Sequence, residues 1–337
     1  MSITGNPELE EWIELLQSPD LSDRLVAIKT LQHLGDEQVI DVILAALNDE
    51  SAAVQKIAIA SVWELANPKV VPHLIPHLGS TDEEIRTLTL SALGELVSQD
   101  SQLLLLDALQ VNNVPNDIHS VFIQRNILIL LRKIHDAQCL PYLLPFLESE
   151  HAELREAAIT TLRYLNQVKT SPNAIGLLKD PIDFVRREAA LTLGYLTDSQ
   201  VIPSLIKALK EDPDWQVRRN VTKALAIHGN DGAIPALIEA IADEHWQVRR
   251  FAAQALQKIF QTVKTEIAIP ALIRALADEY ADVRKDVVIA LATLGSPLAI
   301  APLKQMLDDP DREVSIQAKG AMEKITIHEE IKEIHDY

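Results

Sequence analysis

The segment DPDWQVRRN, Asp212–Asn220, recurs 31 residues later as DEHWQVRRF, Asp243–Phe251. A Val-Arg register of this kind runs through most of the chain, with successive spacings of 31, 31, 38, 31, 31, 32, 31, 35 and 31 residues. The arginine position falls at Arg24, Gln55, Arg86, Gln124, Arg155, Arg186, Arg218, Arg249, Arg284 and Ser315. A repeated unit of this length cannot bury its apolar face alone, so neighbouring units must stack and share one continuous core.

Each unit contains two helical patterns. The first is apolar, as in AIPALIEAIAD, and often has proline in its first turn, where the missing N–H would have had no intrahelical acceptor; the prolines are Pro72, Pro141, Pro172, Pro203, Pro235 and Pro270. The second helix has apolar residues at i, i+4, i+8 and i+11, as in Val185, Ala189, Leu193 and Leu196. These residues form one stripe at about 100° per residue, so the sequence predicts a buried second helix in every unit.

Six residues before the arginine position stands a short polar residue of the type that caps helix N-termini. We expect it to cap the second helix in nine of the ten units. These residues are Ser18, Asp49, Ser80, Ser149, Asp180, Asp212, Asp243, Asp278 and Asp309.

The repeated pattern IPALIEAIADEHWQVRRFAAQAL resembles the HEAT repeat, and within it the subtype named after phycobilisome lyases, over residues 8–325. The resemblance implies an all-α, right-handed α-solenoid of ten HEAT-like helical hairpins in a single domain. The predicted repeats are 8–35, 36–66, 67–98, 99–135, 136–167, 168–197, 198–229, 230–261, 262–295 and 296–325, followed by a C-terminal cap or tail at 326–337. Longer spacings predict insertions within Gln110–Phe122 and Gln261–Glu266.

The charge balance constrains the class of partner. The formal net charge is −18, and residues 1–110 hold 18 acidic against 5 basic side chains, whereas residues 179–285 hold 15 of each. Affinity for nucleic acid comes largely from Lys and Arg that displace counterions from phosphate, so the composition argues against a nucleic-acid partner. Neither an apolar run long enough to span a bilayer nor a signal peptide is evident, and we expect a cytoplasmic protein without membrane insertion.

The two arginines of each pair are expected to differ in role. The first lies at the edge of the core stripe, where it can reach the capping aspartate or loop carbonyls of a neighbour, and we expect a structural ladder of Arg86, Arg155, Arg186, Arg218, Arg249 and Arg284. The second points away from the core, toward the surface that is concave in HEAT-like solenoids. There Arg187, Arg219, Arg250 and Lys285 are expected to form a basic stripe.

Two tryptophans accompany this stripe. Trp215 and Trp246 stand four residues before Arg219 and Arg250, a spacing that allows a guanidinium to stack on an indole. The combination of Trp and Arg is enriched in binding hot spots. A tryptophan at a helix start can also fold over the inter-helix loop, so partner binding and local packing both stay open.

The sequence predicts a non-catalytic scaffold or adaptor that binds a protein partner through its concave face at Trp215, Arg219, Trp246, Arg250, Arg187 and Lys285. The alternative, implied by the lyase-type resemblance, is a subunit that binds an open-chain tetrapyrrole and assists its attachment to or removal from an antenna protein. No catalytic residue, metal site or cofactor is predicted. The spacing of His73 and His77 can hold zinc, but no third ligand is evident.

Overall fold

In the computed structural model the described residues are 7–34, 40–111, 117–165, 172–196, 198–263 and 265–335. They form α-helices and short 3₁₀ helices, and no β-strand occurs among them. The chain divides into two compact units, Met1–Gln167 and Val168–Tyr337. The predicted limits of the repeats and the single domain stay predictions.

The first unit contains five helical pairs. In each pair a short first helix packs against a longer second helix, and the second helices α2, α4, α6, α8 and α10 pack side by side in chain order. The helices are α1 (Pro7–Leu15), α2 (Leu21–Leu34), α3 (Ile40–Ala46), α4 (Ala52–Glu64), α5 (Val71–Leu74), α6 (Glu83–Leu96), α7 (Gln102–Val111), α8 (Ile118–Leu131), α9 (Leu140–Leu143) and α10 (Ala152–Tyr164).

The second unit repeats this arrangement, with α12, α14, α16, α18 and α20 as the layer of second helices. Its helices are α11 (Pro172–Gly176), α12 (Asp183–Tyr195), α13 (Ile202–Glu211), α14 (Trp215–His228), α15 (Ile234–Ala240), α16 (Trp246–Ile259), α17 (Ile269–Ala275), α18 (Ala281–Leu294), α19 (Ile300–Gln305) and α20 (Arg312–His335). Stacked antiparallel pairs of this kind confirm the predicted α-solenoid.

The core consists of the apolar stripe of each second helix. Val185, Ala189, Leu193 and Leu196 are all buried, as the periodicity predicts. Small residues allow close packing within the layer. The sharpest case is Gly194, where a Cβ atom would lie 2.8 Å from the Cα of Ala224, so α12 and α14 touch backbone to backbone at this point.

The N-cap prediction is wrong by two residues. Asp212 is the C-cap of α13, and its carboxylate accepts a hydrogen bond at 2.9 Å from the backbone N–H of Asp214. Asp214 is the true N-cap of α14 and accepts from the N–H of Gln216 at 2.9 Å. The earlier aspartate thus shapes the turn between the two helices, because Asp side chains readily hydrogen-bond the backbone two residues later.

The predicted irregularities lie partly outside the described residues. Around the first insertion α7 ends at Val111 and α8 begins at Ile118. Around the second, α16 ends at Ile259 and a 3₁₀ turn begins at Glu266. At the C-terminus α20 continues to His335, so most of the predicted tail is an extension of the last second helix.

Candidate functional site

The first arginine of each pair joins its own turn to the next repeat. In Arg218, Nη1 donates to the backbone carbonyls of Asp212 at 2.9 Å and Pro213 at 3.3 Å. Its Nε and Nη2 donate to both carboxylate oxygens of Asp243, at 2.7 and 3.0 Å. Two parallel N–H···O bonds to one carboxylate are the strong, directional form of this interaction.

The same bonds recur along the second unit. The bidentate pairs are Arg186–Asp212, Arg218–Asp243, Arg249–Asp278 and Arg284–Asp309. Within this series each aspartate between two arginines is shared, since its carboxylate accepts from the preceding arginine and its backbone carbonyl from the following one. Hydrogen bonds to the aspartates raise the pKa of all four arginines.

The first unit holds one complete pair of this kind, Arg24–Asp49, and partial versions of the arrangement elsewhere. Arg24 pairs with Asp49 at 2.9 Å, and Gln55 donates to the carbonyl of Asp49 at 2.6 Å. Arg86 and Arg155 donate to the carbonyls of Ser80 and Ser149, each at 2.7 Å. The guanidinium of Arg86 lies 4.1 Å from the centre of the Phe122 ring, so it rests on an aromatic face.

Three of the four cations of the expected basic stripe form ion pairs. Arg187 pairs with Asp183 and with Asp214 of the next second helix. Arg250 pairs with Asp286 at 2.9 Å and Asp282 at 3.2 Å. Lys285 pairs with Glu313 at 2.8 Å and Asp282 at 3.3 Å. The face of the second helices is therefore largely charge-compensated rather than a continuous basic stripe.

Arg219, the fourth cation of the expected basic stripe, bonds to amide side chains instead of carboxylates. Its Nη1 donates to the side-chain oxygen of Gln247 at 3.3 Å, and its Nη2 donates to that of Asn220 at 3.1 Å. At the positions on α16 that correspond to the two carboxylates around Arg250, the sequence has Gln247 and Phe251. Arg219 forms no ion pair with any described carboxylate, and burial lowers its pKa, with Arg187 adding to this effect against the opposing influence of Asp214.

One turn further along α14 lies Lys223, a residue that the sequence pattern did not single out. Its Nζ lies 4.2 Å from the centre of the Phe251 ring. Burial lowers the pKa of Lys223, and the charge of Arg219 lowers it further. The i, i+4 spacing from Arg219 was the available signal, since residues so spaced are neighbours on a helix surface.

The two tryptophans are half-buried and form aromatic stacks. Each is the first residue of its helix and lies against the N-cap residue of the next second helix. The Trp215 and His245 rings are 3.7 Å apart at 8°, and the Trp246 and Tyr280 rings are 5.1 Å apart at 15°. The guanidinium of Arg219 lies 5.3 Å from the Trp215 ring centre. Both tryptophans thus take part in packing between repeats, and each keeps a partly exposed surface.

Cys139 and His77 are side chains of the types that bind metal ions or act in catalysis. Cys139 is buried, and burial raises the pKa of its thiol to about 11. Burial lowers the pKa of His77, and no described cluster of three or more His, Cys, Asp or Glu side chains could hold a metal ion. Among the described helices, none has both the length and the apolar character required to cross a bilayer.

Comparisons with known proteins identify the repeats. The sequence model of a family described as HEAT repeats matches residues 9–94, 40–116, 122–194, 172–257 and 234–323. No curated protein sequence matches the chain. The lyase-type subtype, the tetrapyrrole and the cytoplasmic location stay predictions.

Two solved structures share the fold at low sequence identity. An engineered protein is 20% identical with a TM-score of 0.54, and the match covers 95% of this chain and 99% of that one. The second is a chain from the structure that describes how Kap95p binding induces the switch loops of RanGDP to adopt the GTP-bound conformation. It is 14% identical with a TM-score of 0.61, and the match covers 95% of this chain but only 51% of that one.

Proposed function

Because the chain belongs to the HEAT-repeat family, we propose that it is a non-catalytic scaffold or adaptor that binds a protein partner through the second helices of its second unit. Stacked repeats present an extended surface of side chains, which suits recognition of another protein. The similar fold in the structure of Kap95p with RanGDP occurs in an assembly of proteins, and this supports the same kind of role.

The observation that carries the proposal is the uncompensated charge at Arg219 and Lys223. Like charges at i, i+4 on a helix destabilise it by about 0.2–0.5 kcal/mol, and burial adds to the cost of keeping them charged. Neither side chain forms an ion pair with a described carboxylate, although the neighbouring cations Arg187, Arg250 and Lys285 all do. A local cost that no internal carboxylate offsets is typical of a functional position.

The proposed contact surface comprises Trp215, Arg219, Trp246, Arg250, Arg187 and Lys285. Arg219 is its centre, where a partner would supply the carboxylate that the chain lacks. The partly exposed indoles of Trp215 and Trp246 would add apolar contact, as aromatic residues beside arginine do in binding hot spots. At the border, Arg187, Arg250 and Lys285 are held in place by ion pairs and alternate with carboxylates. This alternation favours a partner with a complementary charge pattern.

The test begins with purified protein as bait in a lysate of the native cell, with bound proteins identified by mass spectrometry. Arg219→Ala should then weaken binding of the recovered partner about tenfold or more, because it removes a desolvated cation from the contact centre. Lys207→Ala is the matched control, since Lys207 is an exposed lysine on the first helix α13. Equal binding by Arg219→Ala, Lys207→Ala and the unmodified protein would refute the assignment of this surface.

A further inference from the structure

An apolar groove of about 320 Å³ lies beside this surface, on the second helices α12, α14 and α16. Its apolar walls are Leu191, Tyr195, Ile227 and Phe251. Tyr195 is 60% exposed and Ile227 46% exposed, although both are large apolar side chains on regular helices. The volume is at the lower end of the range for ligand pockets, enough to receive apolar side chains rather than a whole helix.

The charged side chains that line the groove are of one sign. Lys223 and Lys258 line it, and none of its lining residues is acidic. Neither lysine forms an ion pair with a described residue, and Arg219 lies one turn from Lys223 along α14. The groove is therefore an apolar site with two uncompensated cations at its border, in a chain whose formal net charge is −18.

We propose that this groove binds an acidic amphipathic segment of the partner protein, an inference that rests on the proposed scaffold function. One or two large apolar side chains of the segment would fill the space between Tyr195, Ile227 and Phe251. Carboxylates on either side of them would pair with Lys223 and Lys258, and a third could reach Arg219. This is the arrangement in which an amphipathic helix places its apolar side chains in a groove.

Charge and size favour a protein segment over other anions. Nucleic acids and anionic membranes bind through many cations at once, and their affinity scales with the number of charges neutralised. Here the nearby cations Arg187, Arg250 and Lys285 are already paired with carboxylates. What is left is a short cationic border around an apolar centre, which matches a few carboxylates on an apolar segment.

Close contacts between the helices shape the groove. Gly194 brings α12 within backbone contact of α14, directly beneath Ile227, whose Cδ1 would lie 3.6 Å from a Cβ at Gly194. Lys223 rests on the Phe251 ring and so holds its ammonium group at the border of the groove. A preformed site of this kind limits the entropy lost on binding.

The experiment is site-specific photo-crosslinking with purified protein that carries p-benzoylphenylalanine at one of two positions, followed by mass spectrometry of the crosslinked peptide. Replacement of Ile227 probes the groove, and replacement of Gln216 probes the surface around Arg219. Each protein is irradiated with the partner recovered by affinity capture. From position 227 we expect a peptide of net negative charge that contains Leu, Ile, Phe or Trp. Lys223→Ala with Lys258→Ala should reduce its yield at least tenfold.

Controls separate this inference from the scaffold function. Lys207→Ala with Lys304→Ala removes two exposed charges from first helices of the same unit and should leave the yield unchanged, and far-UV circular dichroism checks that every variant is folded. A crosslink from position 216 but none from 227 would overturn the groove and preserve the scaffold. A basic peptide, a nucleic acid or a lipid at 227, or a yield insensitive to the lysine substitutions, would also overturn it. No crosslink from either position would overturn both proposals.

Discussion

The bond between Arg284 and Asp309 should be among the most valuable polar contacts in the second unit. Nε and Nη2 of Arg284 donate to the two carboxylate oxygens at 2.7 and 2.8 Å, and the side chains are only 11% and 3% exposed. Arg284→Met keeps much of the apolar stem but leaves a buried carboxylate without its cation. Removal of one partner from a buried pair costs about 3–5 kcal/mol, so we expect a loss near the lower end, about 3 kcal/mol.

A double-mutant cycle separates the coupling energy of the pair from the cost of each single substitution. Asp309→Asn retains an oxygen that can accept from the N–H of Asp311, a bond of 2.8 Å, but removes the charge. We expect it to cost about 2 kcal/mol, as for hydrogen bonds to charged groups. The double variant should then cost about 3 kcal/mol, which gives a coupling energy of about 2 kcal/mol, within the range for residues in direct contact.

Urea denaturation monitored by far-UV circular dichroism measures these free energies of unfolding. The pKa of Asp309 is lowered from 3.8, first by its hydrogen bond to Arg284. Its stabilising contribution is therefore present above pH 3.8 and is lost as the pH falls through the folded pKa. In Arg284→Met the Asp309 carboxylate is protonated more readily. The difference in free energy of unfolding between the unmodified protein and Arg284→Met should therefore become smaller in acid. A cost below about 1 kcal/mol at neutral pH, typical of exposed pairs, would refute this reasoning.

Three further predictions concern single positions. Gly194→Ala should lower the free energy of unfolding by about 1–2 kcal/mol, because the added Cβ would lie 2.8 Å from a backbone atom. Gly320→Ala is the matched control, since nothing lies within 4 Å of its added Cβ, and it should raise the free energy of unfolding by about 0.5–1 kcal/mol. A lower free energy of unfolding in both variants would contradict the packing argument. Arg86→Met should cost about 1 kcal/mol in the same denaturation assay, less than Arg284→Met, because the arginine stacks on an aromatic ring and leaves no buried carboxylate. Burial lowers the pKa of His245 from 6.5, so stability should decline as the pH falls below about 6.5 toward the folded pKa, and His245→Gln should reduce this decline in thermal melts; an unchanged pH profile would contradict it.

The periodicity of the sequence was sufficient to predict the fold. Residues such as Val217 and Val248 recur at a spacing that only a stack of similar helices can bury, and both are fully buried. The first residue of each helix was harder to predict from the sequence, because an aspartate can cap a helix or shape the preceding turn with the same kind of hydrogen bond to the backbone. The choice between Asp212 and Asp214 depends on the three-dimensional course of that turn.

The charge pattern of the candidate surface was harder to predict. Arg250 meets carboxylates that lie 32 and 36 residues later, and Arg187 meets one 27 residues later, so no single spacing relates each cation to its partner. The isolated cations Arg219 and Lys223 stand out only once those pairs are known. The groove was missed for a different reason: its apolar side chains come from three helices and share no sequence motif.

The shared aspartates make the junctions between repeats of the second unit chemically alike. Asp243, for example, receives Arg218 on its carboxylate and Arg249 on its backbone carbonyl, so a repeat needs only an aspartate in its turn and an arginine six residues later to join both neighbours. Such a junction can form between any two repeats that carry both residues. One repeat between Asp212 and Asp278 could be deleted or duplicated as a block with the same bonds re-formed across the new boundary. A solenoid with this joint can therefore change length in evolution without a new interface at every step.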